Sequence, residues 1–287
     1  MVEALESLLA QHERDLAIVL VDDASTDTTP EVARFYVERD PRVTYERNSS
    51  RLGQLENWVR TFELARARHP EAEYFAQASD HDVWDPSWLQ KLLGELEGHP
   101  EAALAYPLSI RIGEGGEPVR PQPPWRFDTA GVSDPAERFR RFCRLGVAGD
   151  MWYGLFRWEK LDRVPFSRAL LFDRLLLARL SLVAEFRQVP EILWFRRYLK
   201  PVSSSRQRAT FFPDRPPAWS RVPWPLAHSV TLARTLPNQV SGDATLGRVA
   251  ALNLAARYGE ASVRRLVRKQ LLRPVAAASR FRRRKIV

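Results

Sequence analysis

Two turns of the sequence are rich in aspartate, and each follows a short apolar run. The first is VDDASTDTT, residues 21–29, and the second is SDHDVWDP, residues 79–86. Carboxylates gathered in one turn offer the hard oxygen ligands that Mg²⁺ and Mn²⁺ prefer, and a cation held there can in turn hold a diphosphate. Aspartate and serine also favour turns and helix caps without binding any ligand. The pattern therefore indicates a metal–diphosphate site, with a purely structural turn as the alternative.

The elements predicted around these turns would place both at one edge of a sheet. Residues 16–21 and 74–78 are runs typical of buried strands, whereas residues 52–68 and the segment after Pro86 have the apolar spacing of helices. Strands that alternate with helices over short connections indicate an α/β fold, with a mostly parallel sheet covered by helices. Because ligands bind at the carboxyl ends of such strands, the location of both turns favours function.

Short motifs in the two halves of the sequence occur in a consistent order. In chain order they are LESLLAQ, VDDASTDTT, Asn48 with Gly53, SDHDVWDPSWL, GLFR, DRLLLARL and VPEILWFRR, which ends at Arg197. Together they resemble the family 2 glycosyltransferases, inverting enzymes with the Rossmann-like GT-A fold that use nucleotide-sugar donors. The resemblance starts in the family's first helix. The strand that precedes this helix in the family has no counterpart here, so we expect the sheet to lack an interior strand.

The resemblance implies donor-binding roles for several residues. Asp22 and Asp23 would border the base and ribose of a nucleotide, and Asp80 would border the ribose and the diphosphate. Arg196 and Arg197 are candidate phosphate ligands because a guanidinium offers paired donors to phosphate oxygens. Since neighbouring residues of a strand point in opposite directions, at most one of the two should face the site, and we assign Arg197 to the nucleotide-sugar.

The resemblance also implies a divalent metal, Mn²⁺ or Mg²⁺, with Asp82 and His81 as its ligands. His81 occupies a position where the family usually has another aspartate. A neutral imidazole binds Mn²⁺ but replaces a charged oxygen ligand, which should change the affinity for metal and its pH dependence. A site that is inactive or independent of metal is the alternative.

On the acceptor side, the resemblance implies that Asp173 is the general base. It would take the proton from the acceptor hydroxyl on the face opposite the leaving diphosphate. The alternative is a carboxylate that merely stabilises a helix N-terminus. Trp152, Tyr153 and Gly154 are expected to line the acceptor site, with packing in the core as the alternative for the two aromatic residues.

Composition and charge limit the remaining classes of function. The chain has 287 residues, 45% of them hydrophobic, and a single cysteine, so it is neither disordered nor built around disulfides. No apolar run approaches the about 18 residues of a membrane span. The net charge is +9, yet the ten basic and no acidic residues after Val263 leave the rest of the chain at −1. A near-neutral body does not favour nucleic acid as a partner.

We therefore predict a glycosyltransferase of cell-surface polysaccharide or glycolipid synthesis. Residues 1–112 would bind the nucleotide-sugar, 113–200 a saccharide or lipid-linked acceptor, and 201–287 would form a proline-rich linker and a basic helical appendage. The basic C-terminus suits an anionic membrane surface, with a solvated terminus as the alternative. A cytoplasmic location, peripheral at the membrane, fits these features. A non-catalytic scaffold of a glycan assembly complex is the competing hypothesis, motivated by His81 and by the missing strand.

Overall fold

A computed structural model of the protein describes residues 1–119, 126–145, 149–198, 204–213, 216–238, 240–241, 244–245 and 247–282. The strands in this part of the chain are β1 Ile18–Asp22, β2 Val43–Arg47, β3 Tyr74–Ala76, β4 Val83–Trp84, β5 Ala102–Ile112, β6 Leu155–Arg157, β7 Glu185–Arg197, β8 Val240–Ser241 and β9 Ala244–Thr245. The α-helices are α1 Val2–Leu9, α2 Thr29–Val37, α3 Gln54–Arg68, α4 Trp88–Glu97, α5 Pro135–Arg144, α6 Trp158–Leu161, α7 Phe172–Val183, α8 Ser204–Phe211, α9 Trp224–Thr235 and α10 Arg248–Arg282.

The central sheet is mixed. Its five strands have the order β3-β6-β5-β7-β4, and only the β5–β7 pair is parallel. The α/β class is confirmed, but the sheet is less parallel than the alternation of elements predicts. The reason is that β4 and β6 join it antiparallel, and strands of two and three residues are too short to show their direction in a sequence pattern.

A groove separates β1 from β3. In the part of the chain that the structure describes, β1 pairs only with β2, in parallel, and β3 pairs only with β6. A cavity of about 580 Å³ lies between them, lined by Ile18 and Val19 of β1 and by Tyr74 and Ala76 of β3, among others. Within the described residues, the edges of β1 and β3 that face this groove thus have no strand partner.

The largest core is built around α7. All residues from Arg174 to Val183 are buried, as the leucines on every side of this helix predict. Helices α5, α9 and α10 pack here as well, since Phe139, Leu232 and Tyr258 belong to the same apolar cluster. The C-terminal region is therefore packed against the rest of the fold along α9 and the first half of α10.

No helix among the described residues is both long enough and apolar enough to span a membrane. Helix α10 continues to Arg282, and residues 283–287 of the predicted basic C-terminus lie outside the described residues.

Candidate functional site

Asp22 holds the first aspartate-rich turn in place through hydrogen bonds. It is the last residue of β1 and is buried; its Oδ1 accepts a hydrogen bond from the Ser25 N–H at 2.8 Å, and its Oδ2 accepts one from the Tyr45 hydroxyl at 2.8 Å. Arg47 Nε lies 3.3 Å from the same Oδ2. Burial raises the pKa of Asp22, but these donors outweigh it and the pKa is lowered overall. Asp22 is thus a bonded, ionised carboxylate at the end of β1.

Asp23 fastens the loop that precedes α3. Its Oδ1 accepts hydrogen bonds from the Asn48 amide at 3.0 Å and the Leu52 N–H at 2.7 Å, and its Oδ2 accepts one from the Gly53 N–H at 2.8 Å. Gly53 has a φ of 87°, and a Cβ there would lie 2.5 Å from the Phe211 carbonyl oxygen. The Asn and Gly of the motif are therefore the partners that make this turn rigid.

Asp82 of the second turn is also anchored by the protein. Its side chain is 2% exposed. Oδ2 accepts a hydrogen bond from the Trp194 indole at 3.0 Å, and Oδ1 accepts one from the Arg197 N–H at 2.8 Å. The carboxylate thus joins the turn before β4 to the end of β7.

His81 lies between two carboxylates. Its Nδ1 is 2.6 Å from Asp80 Oδ1, and its Nε2 is 3.8 Å from Asp82 Oδ1. The hydrogen bond with Asp80 raises the pKa of His81, and the charges of both carboxylates act in the same direction. The same bond lowers the pKa of Asp80, whose side chain is 79% exposed. Asp80 is therefore the accessible carboxylate of this turn.

The donor atoms of this turn do not fit a divalent cation as they are arranged here. Among the residues that the structure describes, no group of three His, Cys, Asp or Glu side chains could hold a metal. Each Asp82 oxygen already accepts one hydrogen bond from the protein, and the His81 imidazole is bonded to Asp80. The assignment of Asp82 and His81 as metal ligands stays a prediction.

Asp173 stands at the start of α7, after a strained residue. Leu171 has a φ of 55° and a ψ of 43°, in the left-handed region that a bulky side chain rarely adopts. Burial raises the pKa of the Asp173 carboxyl, and the N–H and charge of Arg174 only partly oppose this. A Cβ on Gly149 would lie 3.7 Å from Asp173 Oδ2, so the segment at 149 runs directly past the carboxylate.

The two arginines at the end of β7 differ in exposure and in their hydrogen-bond partners. Arg196 is 40% exposed, and its Nη1 lies 2.9 Å from Asp150 Oδ1, whose Oδ2 accepts a hydrogen bond from the Ser109 hydroxyl at 2.9 Å. Arg197 is 12% exposed, and it donates to the His81 carbonyl at 2.9 Å and to other acceptors within the fold. Arg196 therefore keeps exposed donors, whereas most donors of Arg197 are bonded within the fold, and the assignment of Arg197 to the nucleotide-sugar stays a prediction.

Tyr153 is the last residue of the segment that contains Asp150, and it lies close to the second aspartate turn. Its ring packs on Trp194 with a centroid distance of 4.7 Å, and burial raises the pKa of its hydroxyl. Four charged side chains act electrostatically on that hydroxyl: Arg196, Asp82, Asp173 and Asp80. Tyr153 thus lies one contact from Asp82, through Trp194, and on the segment whose Asp150 pairs with Arg196 and whose Gly149 passes Asp173.

Trp152 belongs to the core and not to this space. Residues 149–153 form a 3₁₀-helix before β6. This helix turns Trp152 inward, where it is 2% exposed and packs on Phe156 and Phe172 with centroid distances of 5.6 and 5.1 Å. The packing alternative is therefore favoured for Trp152, and the place of Tyr153 at the acceptor site stays a prediction.

Gly154 allows β6 to approach β5 closely. A Cβ at this position would press against the Ala105 carbonyl oxygen and lie 2.8 Å from both Leu104 and Tyr106. We expect Gly154→Ala to lower the free energy of unfolding by about 2–3 kcal/mol, measured by urea denaturation. Gly94→Ala is the matched control: it lies inside α4 with nothing near its Cβ and should stabilise the protein by about 0.5–1 kcal/mol. Equal stability of Gly154→Ala and wild type would contradict the close approach.

His228 of α9 forms a hydrogen bond with the backbone just before α7. It is fully buried, with Nε2 2.7 Å from the Leu170 carbonyl oxygen and Nδ1 2.8 Å from the Tyr258 hydroxyl. Because burial lowers the pKa of His228 to about 4, the imidazole is neutral at pH 7. A carbonyl only accepts hydrogen bonds, so Nε2 carries the proton and Nδ1 accepts from Tyr258. This bond holds the residue directly before the strained Leu171.

Two residues of this arrangement are missed by the sequence analysis. Asp150, which forms an ion pair with Arg196, is an isolated acidic residue before an aromatic run. Its position before that run is the only feature of the sequence that could have indicated its role. His228 has no signal at all, because its partner Leu170 is 58 residues away in the chain.

Known proteins resemble this chain over part or all of its length. The model of the family described as Glycosyl transferase family 2 matches residues 1–154. An uncharacterised protein of Sinorhizobium fredii is 33% identical over 121 residues, 40% of this chain and 12% of that protein. An uncharacterised protein of Mycobacterium bovis is 32% identical over 131 residues, 44% of this chain and 36% of that protein. The matches thus span well under half the length of these relatives.

The structure of a mannosyltransferase of Pyrobaculum calidifontis, solved in complex with GDP-Man and Mn²⁺, matches this chain with a TM-score of 0.47 and 16% identity, over 92% of this chain and 82% of that one. The family model covers more than half of the chain, and the motifs that carry the resemblance include both aspartate-rich turns whose anchoring is described above. The chain belongs to glycosyl transferase family 2.

Proposed function

We propose that this protein transfers a sugar from a nucleotide-diphosphate donor to an acceptor hydroxyl with inversion. The observation that carries the proposal is the segment 149–153, which holds Arg196 through Asp150, passes Asp173 at Gly149 and reaches the Asp80–Asp82 turn through Tyr153 and its neighbour Trp194. An inverting displacement needs a base on one side of the anomeric carbon and charge stabilisation for the departing diphosphate on the other. This cluster supplies a carboxylate for the first task and cations for the second.

The base in this proposal is Asp173. Its carboxylate is half-buried and has no ion-pair partner within the described residues, which leaves an oxygen available to accept the proton of an acceptor hydroxyl. A raised pKa makes it a stronger base than an ordinary aspartate once it is ionised. Tyr153, on the adjacent 3₁₀-helix, would border the acceptor.

The leaving diphosphate would lie near the two cations of the cluster, Arg196 and His81. Arg196 keeps donors beyond the one that faces Asp150, and a guanidinium can bind phosphate oxygens in pairs. His81 brings positive charge when it is protonated. The donor atoms around Asp82, as arranged here, do not form a metal site. Whether donor binding requires a divalent cation is therefore left to measurement.

Calorimetric titration of UDP, GDP and dTDP, with and without Mn²⁺, tests the donor site. We expect one nucleoside diphosphate to bind, and Asp80→Asn to change its affinity at least about fivefold, since this exposed carboxylate pairs with His81. Asp82→Ala would be a poor probe, because it leaves the Trp194 and Arg197 donors without a partner and should unfold the turn. The matched control is Asp15→Asn, an exposed aspartate before the amino end of β1.

Two outcomes of this titration would change the proposal. Absence of binding by a chain that circular dichroism shows to be folded would contradict donor binding. It would favour the second candidate, a non-catalytic scaffold of a glycan assembly complex, which His81 at the usual position of an aspartate also favours. Equal loss of binding in Asp80→Asn and Asp15→Asn would place the nucleotide away from the second turn.

Saccharides and lipid-linked saccharides are the proposed acceptors, and cell-surface polysaccharide or glycolipid synthesis is the proposed setting. Both proposals come from the family resemblance.

A further inference from the structure

A second cavity, of about 520 Å³, lies between α5 and α10, away from the residues of the candidate site. Its lining is dominated by six arginines, Arg140, Arg144, Arg257, Arg264, Arg265 and Arg268. The other lining residues are Cys143, Glu260 and Ala261. We call this space the arginine cavity.

Only some of this positive charge is balanced by the protein. Arg140 pairs with Asp134 at 3.0 Å, and Arg264 pairs with Glu260 at 2.6 Å. In the part of the chain that the structure describes, no carboxylate lies within ion-pair distance of Arg144, Arg257 or Arg268. The cavity therefore carries an excess of positive charge.

Arg265 adds a partly buried cation to this excess. Its Nη2 lies 3.4 Å from the Cys143 carbonyl oxygen, and it too has no ion-pair partner in the described residues. Burial, helped by the charge of Arg174, lowers the pKa of Arg265 to about 10, so it stays protonated at neutral pH. A desolvated cation without a counter-charge favours an anionic ligand.

Beside the cavity, α10 exposes an apolar stripe. Val249, Leu252, Val263 and Val267 are 75, 54, 51 and 47% exposed. At 100° per residue these four positions share one face of the helix, and three of the cavity arginines, at 257, 264 and 268, run along its flank. The opposite face, with Leu254 and Tyr258, is buried in the core. Exposed valines and leucine next to arginines are the arrangement of a helix that lies on an anionic membrane surface.

We propose that the arginine cavity binds the phosphate headgroup of anionic lipids while the apolar stripe of α10 lies in the membrane interface. Guanidinium groups match phosphate oxygens in geometry and charge, and several of them converge on one space. A soluble phosphate would use the arginines but would leave the stripe exposed, so a lipid is the ligand that accounts for both features. The proposal does not depend on glycosyl transfer.

Co-sedimentation of the full chain with vesicles tests it. Vesicles of phosphatidylcholine alone are compared with vesicles in which part of this lipid is replaced by phosphatidylglycerol. The cavity variant carries Arg144→Gln, Arg257→Gln and Arg268→Gln. Its matched control carries Arg14→Gln, Arg126→Gln and Arg221→Gln, which remove the same charge from exposed positions elsewhere. Both variants keep the basic C-terminus, and the stripe is probed separately with Val263→Asn and Val267→Asn together.

We expect the wild type to bind only the anionic vesicles, the cavity variant to lose affinity at least about 30-fold, and the control variant to lose less than about threefold. The stripe variant should weaken binding while its net charge is unchanged. Equal losses in the cavity and control variants would reduce the effect to net charge and overturn the proposal. So would binding of inorganic diphosphate in the cavity, measured by calorimetry, by a chain that does not bind the vesicles. Nucleoside diphosphate affinity should be the same in all variants, so a failed donor titration leaves this test intact.

Discussion

Replacing Asp173 by asparagine should lower sugar transfer at least about 10³-fold and leave the affinity for the nucleoside diphosphate unchanged. The amide has the same shape as the carboxylate but cannot take the proton of the acceptor hydroxyl. In the wild type, transfer should fall as the pH drops through the raised pKa of Asp173, which lies above the ordinary value of 3.8. The measurement is nucleotide release from a panel of UDP-, GDP- and dTDP-sugars in the presence of simple glycoside acceptors.

The same substitution should raise the melting temperature at neutral pH. A carboxyl whose pKa is raised in the folded state is less easily ionised there than in the unfolded chain, so its charge costs stability once the pH is above the folded pKa. Asp173→Asn removes that charge, and Asp15→Asn, at an exposed position, should change neither transfer nor melting. Full transfer by Asp173→Asn would refute its role as base, and loss of nucleotide binding would show that Asp173 acts on the donor side.

Much of the fold is predictable from the sequence where a pattern is long. Leucines on all sides predict a buried helix over 170–183, and the structure has one at Phe172–Val183. An aspartate before a proline is typical of a helix start, and the Asp134 side chain does accept a hydrogen bond from the Ala136 N–H at 2.9 Å. Short segments are different. The five-residue 3₁₀-helix at 149–153 has no periodicity that could separate it from a strand, and the antiparallel pairing of β6 follows from contacts distant in the chain.

The candidate site is predictable in its residue types but not in its bonding. Two aspartate-rich turns after strands can be recognised in the sequence. The sequence cannot show, however, that the Asp82 oxygens accept hydrogen bonds from the Trp194 indole and the Arg197 backbone N–H. Alternation along β7 predicts that only one of two adjacent arginines faces the site. Which one it is depends on the pairing of β7 with β4 and β5, and that register is a property of the folded sheet.

The stability of the protein should depend strongly on the protonation of His228. The pKa of His228 is about 4 in the folded state and near 6.5 in the unfolded chain. Between these values the unfolded chain takes up a proton that the folded state excludes, so the stability present above pH 6.5 is lost as the pH falls toward 4. The expected loss from this one group is about 3 kcal/mol. Urea denaturation at a series of pH values measures it.

Carboxylates titrate in the same range, so the prediction concerns the difference between wild type and His228→Gln. Glutamine can donate to the Leu170 carbonyl and accept from the Tyr258 hydroxyl, as the neutral imidazole does, but it takes up no proton. The wild type should therefore lose stability more steeply than His228→Gln below pH 6.5, whereas His12→Gln, at an exposed position, should follow the wild type. Parallel curves for wild type and His228→Gln would contradict the burial of a neutral imidazole.

Because the same hydrogen bond holds Leu170 in front of Leu171 and Asp173, His228→Leu should in addition lower transfer, and recovery of transfer in His228→Gln would identify His228 as a positioning residue for the base.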